Sequence, residues 1–204
     1  MKRIVVFILT LALCISLCGC GAIDKMTGKY YEENAKAAYS KLVSLEESCV
    51  IVLNAIYGAW NFAVEEYDTY NDASACFNAY LEVTGLPYNE TLEAMNTDMK
   101  GRGIEVTASS QIAYLTNIDT GVNLVLVYCE TVGLYDAYDA AMKEAQELVN
   151  ASDYIGLEVY YKEILICLDY IKNPTGSFSE FELFRKEHTE KMRDYRLEMQ
   201  LELG

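Results

Sequence analysis

From Ala35 onward, apolar residues recur at Ala35, Ala38, Leu42, Leu45, Cys49, Val52, Ile56, Ala59 and Ala63, in alternating steps of three and four. Those steps return each side chain to the same face of an α-helix. Four unbroken heptads therefore predict one long helix with a coiled-coil-like seam. A second stripe, Tyr39, Val43, Val50, Leu53, Tyr57, Trp60 and Val64, runs beside the first and is interrupted only by Glu46. Two adjacent stripes make a wide apolar face, so from Val50 the helix is expected to lie centrally in a bundle.

The polar corner from Glu65 to Asn71 ends this helix, and Asp72 is placed to cap a shorter one bearing Cys76, Phe77, Tyr80 and Leu81 that stops at Gly85. Pro87 and Asn89 open a further helical stretch with Leu92, Met95 and Met99. The segment Gly101-Arg102-Gly103 and the residues Ile104 to Thr107 read as a loop with one short extended piece. Helical order resumes after Asp119, with one apolar face from Val125 through Tyr128, Val132, Tyr135, Tyr138, Met142 and Ala145 to Val149. A turn near Ala151 and Ser152 leads into Tyr154, Leu157, Tyr161, Ile164, Leu168 and Ile171, so short connections predict an antiparallel hairpin. Asn173-Pro174 stops that helix, because the residue before proline is pushed out of the α region. Ser177 and Glu180 have capping-box spacing and open a last helix striped by Phe178, Phe181, Phe184, His188, Met192, Tyr195 and Met199. The expectation is an all-α fold: an antiparallel helical bundle of four long helices plus a broken helical segment, forming a single domain over residues 30–204.

Composition narrows the partners. The 204 residues carry 31 acids against 16 Lys and Arg, a formal charge of −15. Phosphate backbones are bound by cations that displace counterions, so nucleic acid is excluded as a partner class. Two prolines and 52% hydrophobic content fit a folded helical chain better than a turn-dense sandwich or a disordered one.

At the amino terminus Lys2 and Arg3 precede an apolar run from Ile4 to Leu17, too short for a membrane-spanning helix and suited to the core of a signal peptide. The run ends Leu17-Cys18-Gly19-Cys20, which resembles the lipobox of bacterial lipoproteins. The resemblance implies a signal peptide over 1–19, cleavage after Gly19, diacylglycerol on the sulfur of Cys20, and a lipidated tether over 20–29. It also implies a membrane partner held through that lipid, on the extracytoplasmic face of a bacterial cell membrane. Cleavage removes two cations and no acid, leaving 185 residues at −17, which an anionic leaflet repels. Two acyl chains suffice to hold such a domain, and the nine residues from Gly21 to Lys29 reach at most about 30 Å.

After processing, Cys49, Cys76, Cys129 and Cys167 remain, all in helical patterns and without a CxxC pair. Buried free thiols are the expected state, with Cys49 to Cys76 or Cys129 to Cys167 the first bridges to test in an oxidising compartment.

Catalytic and cofactor signatures are sparse. One histidine, His188, cannot supply ferritin-like, HExxH or Cys/His metal sites, and it lies on an apolar stripe where a core role is expected. No cofactor or metal site is expected. Glu65, Glu66, Asp68 and Asp72 gather four carboxylates beside Tyr67 and Tyr70. As a calcium loop from Asp68, however, they place Ala73 where glycine belongs and Ala79 where glutamate belongs. The 17 tyrosines suit interfaces and grooves, since each buries a ring and keeps a polar tip. Tyr135, Asp136, Tyr138 and Asp139 mark the helix face expected to bind. The functional expectation is a membrane-anchored, non-catalytic ligand- or protein-binding bundle. Its rivals are a hydrolase working through carboxylates such as Asp136 and Asp139, and a purely structural envelope protein. A concave aromatic pocket would favour binding, carboxylates facing across a cleft an enzyme, and a closed bundle a structural role.

Overall fold

A computed structural model describes residues 28–65 and 70–203, with side chains from residue 31. Eight helices and no strand occur among the described residues. They are α1 (Gly28–Glu65), α2 (Ala73–Thr84), α3 (Tyr88–Gly101), α4 (Ala108–Thr116), α5 (Ile118–Thr131), α6 (Leu134–Ser152), α7 (Ile155–Lys172) and α8 (Phe178–Leu203). The fold is all-α, as the periodicity predicts. The expected signal peptide, Cys20, and Glu66, Tyr67 and Asp68 of the acidic corner lie outside the described residues. Gly28 and Lys29, expected in the tether, already belong to α1.

The two predicted stripes of α1 differ in burial: in the second, Leu53 and Trp60 are buried, Tyr39, Val43, Val50 and Tyr57 half-buried, and Val64 exposed. Every residue of the seam from Ala35 to Ala63 is buried, none more than 6% exposed. By length and composition α1 is apolar enough to cross a membrane, yet most of its apolar window is covered by the rest of the protein. That coverage is what a core helix shows.

Three predicted termini form as the residue types dictate. Asp72 accepts from Ala75 N at 2.7 Å and caps α2, and Gly85, at φ 70°, closes it in the left-handed conformation that lacks a penalty only for glycine. Ser177 N donates to Glu180 Oε2 at 2.7 Å and Glu180 N donates back to Ser177 Oγ at 3.4 Å, starting α8.

Two expectations are corrected. Residues 104–107 form the expected loop, without a strand, but helical order resumes at Ala108 and not after Asp119: Thr107 caps α4 with a capping box in which Ser110 N donates to Thr107 Oγ1 at 3.1 Å and Thr107 N donates to Ser110 Oγ at 2.8 Å. The apolar face from Val125 to Val149 is not one helix. Gly133, at φ 67°, ends α5, and α6 begins at Leu134. A stripe read on side chains is blind to a single left-handed backbone residue.

The chain forms two compact units, and α1 contributes to each in turn. The first comprises residues 51–65 and 70–135. In it Gly58 meets α2 so closely that a Cβ there would lie 2.2 Å from Val83 O. Tyr80, fully buried, donates to Gly121 O at 2.7 Å, while Tyr114 donates to Asp98 Oδ2 at 2.6 Å. Helices α4 and α5 meet at 91°, with Asn117 Oδ1 capping α5.

The second unit comprises residues 28–50 and 136–203, and its register can be read from polar pairs. Asn34 donates to Ala151 O, Lys41 pairs with Glu144 and Ser48 lies 2.9 Å from the Tyr138 hydroxyl, so α1 and α6 are antiparallel. Gly156 faces Met199, Glu163 faces His188 and Tyr170 stacks on Phe184, so α7 and α8 are antiparallel too. Glu46 with Tyr160, then Cys49 with Cys167, run the same way along α1 and α7. The result is an up-down-up-down bundle.

Candidate functional site

The four residues of the expected binding face have separate fates. Tyr138 is fully buried, its hydroxyl spent on Ser48. Asp136 is exposed, and Asp139 forms an ion pair with Lys172 Nζ at 2.5 Å. Tyr135 is half-buried, and burial, with the Cys129 thiol beside it, raises its hydroxyl pKa. These side chains do not converge on a cleft; their i, i+3 spacing sends the tyrosines inward and the aspartates outward.

What the periodicity passed over is a belt of charged and polar groups inside the second unit. Glu46, the one interruption in the second stripe of α1, is 4% exposed. It accepts a hydrogen bond from the Tyr160 hydroxyl, and Arg196 Nη1 lies 3.5 Å from its other oxygen. Burial raises the Glu46 pKa above the ordinary carboxylate value, with the Tyr160 bond and Arg196 opposing the rise. Tyr160 is pushed up in turn, by burial first and by Glu46 second. One turn along α7, Glu163 meets His188 Nδ1 at 2.5 Å, and the imidazole packs tilted against Phe184 with centroids 4.1 Å apart. Lys41, 7% exposed, is paired with Glu144. His188 thus holds the core position its stripe predicts, but with an acid partner that the stripe does not reveal. The usable signal was charge out of phase: Lys41, Glu46 and Glu163 fall at helical positions that face the core.

This belt satisfies itself. Each buried charge is met by an opposite charge or a hydroxyl within the unit, and a one-turn slip of any helix would strand several at once. Its chemistry is that of a register lock.

A concave surface lies in the first unit. Ala108, Ser109, Ile112, Ala113 and Thr116, spaced along one face of α4, form one wall of an open groove of about 690 Å³ that Asn117, Tyr70 and Asn71 complete. The capping box sets where α4 begins and so places that face. The Tyr70 ring is steadied by stacking on Phe62, centroids 5.8 Å apart. Among the described residues the lining is hydroxyls, amides, apolar groups and one aromatic ring, with no charged side chain. Such a wall offers hydrogen bonds and ring contact to a neutral ligand. Of these residues only Tyr70 drew notice in the sequence, as part of the acidic corner.

Cys49, Cys76, Cys129 and Cys167 are all buried, as their helical positions predict. No known protein family, characterised protein or solved structure is measurably similar to the chain.

Proposed function

We propose that the protein is a lipid-anchored extracytoplasmic binding module that holds an uncharged ligand without transforming it. The lipobox-like Leu17-Cys18-Gly19-Cys20 supports the anchor, with Cys20 the acylated residue. The groove along α4 is the observation that carries binding: a concave surface with an aromatic ring and several hydrogen-bonding groups. The net charge of −17 left after cleavage turns anionic ligands and nucleic acids away. The second unit, with its belt paired internally, is a rigid scaffold in its own right.

Two measurements test the reading. Cys20→Ala should move the protein from the membrane to the soluble fraction, and unchanged retention would contradict lipidation. A panel of neutral oligosaccharides and peptides should yield a thermal shift that disappears in Ala113→Trp, whose indole fills the groove. A ligand whose shift survives that substitution would place binding elsewhere. Turnover abolished by His188→Ala would overturn the non-catalytic reading.

A further inference from the structure

Cys49 on α1 and Cys167 on α7 are both fully buried, and their thiols are neighbours in the core of the second unit. The sequence offers Cys49 with Cys76, or Cys129 with Cys167, as the first bridges to test; within the second unit the partner that Cys49 touches is Cys167. The same two helices also meet at Glu46 and Tyr160, one turn earlier on α1 and two turns earlier on α7. Cys129 has a different neighbour, the Tyr135 hydroxyl.

We propose that Cys49 and Cys167 form a disulfide that ties α1 to α7, closed by thiol exchange with a disulfide-bearing oxidant outside the cytoplasm. The inference rests on the export implied by the proposed function, since such bonds persist only in an oxidising compartment. One thiolate attacks the oxidant, RSSR, forming a mixed disulfide and releasing one RSH; the second thiol displaces the other. The cysteines lose two electrons and two protons in all, and the oxidant becomes two RSH.

The structure also dictates when this happens. Exchange needs a thiolate, and burial, followed by the neighbouring Cys167, holds the Cys49 pKa well above its ordinary value. Once the core has closed, both thiols are inaccessible and Cys49 is held in its protonated form. The bond therefore forms on the folding chain, before α7 seals against α1, and the native reduced protein resists the same oxidant. The bridge closes a loop from residue 49 to residue 167, more than half of the chain, so it restricts the unfolded ensemble strongly and raises Tm by roughly 10 °C.

The test uses the full chain, expressed in a bacterium with an oxidising envelope, alkylated at lysis and mapped as peptides by mass spectrometry. A second sample is reduced, unfolded and refolded in a glutathione redox buffer. The expected result in both is a Cys49–Cys167 cross-linked peptide, two hydrogens lighter than its reduced parts, with Cys76 and Cys129 alkylated. Alkylated Cys49 and Cys167 in either sample, or a bridge of either to Cys76 or Cys129, would overturn the proposal. Cys76→Ala/Cys129→Ala must keep the cross-link and its Tm gain, whereas Cys49→Ala must lose both. The same map reads Cys20. Acylated Cys20 with alkylated Cys49 and Cys167 refutes the bridge alone, and a free Cys20 thiol with the bridge intact refutes the anchor alone.

Discussion

The Tyr160 hydroxyl donates its hydrogen bond to Glu46, a carboxylate 114 residues away in sequence and almost wholly withdrawn from water. The bond sets α7 against α1 and places the acid where its ionisation opposes folding. Tyr160→Phe removes the donor without changing the ring, so the acid loses its closest partner. The expected loss is about 2 kcal/mol, read by urea denaturation.

Because the folded pKa of Glu46 is raised, its linkage has the opposite sign to that of an ordinary salt-bridged acid. The folded state holds the proton more tightly. The stability this confers is full below the unfolded carboxylate pKa and is lost as pH rises through the higher folded one. Glu46→Gln removes the titration. Its Tm is expected to equal or exceed that of the parent at pH 7, and to vary less between mildly acidic and neutral pH. A variant as pH-sensitive as the parent would show that another group carries the dependence.

Glu163 and His188 form the second internal pair, 2.5 Å apart. His188→Ala strands a buried acid and should cost about 2 to 3 kcal/mol. Adding Glu163→Gln to that variant should recover part of the loss, because an amide tolerates burial better than an unpaired carboxylate. A double-mutant cycle measures this coupling, and additive single effects would mean that the two side chains do not interact.

Gly58 carries a steric prediction. A methyl group there would lie 2.2 Å from Val83 O, a backbone atom that can move only by displacing the end of α2. Gly58→Ala should destabilise the protein by about 3 kcal/mol despite the higher helix propensity of alanine. Calorimetry would register this as a clear fall in Tm.

Local information was legible along most of the chain. The seam of α1, the caps at Asp72, Gly85 and Ser177, and the stop at Asn173-Pro174 each depend on residues within one or two turns of one another, and the structure places them where the spacing does. The helix α4 was missed although Thr107 and Ser110 carry its capping box, because the preceding glycines dominate the reading of that stretch. The break at Gly133 was missed because the apolar stripe runs on across it.

The candidate sites were less legible. Tyr135, Asp136, Tyr138 and Asp139 are neighbours in sequence, yet the helix turns them in different directions. The α4 groove joins Tyr70 and Asn71 to residues 108–117, and only packing brings them together.

By itself, then, the sequence determined the helical class, most helix ends and the lipobox-like start, since periodicity and capping are short-range and repeat every three to four residues. Tertiary structure alone decided that Glu46 would meet Tyr160, Glu163 would meet His188 and Cys49 would meet Cys167. Those partners lie on different helices, and which faces of two helices meet depends on how their side chains interdigitate, a property of the packed assembly that no single stripe contains.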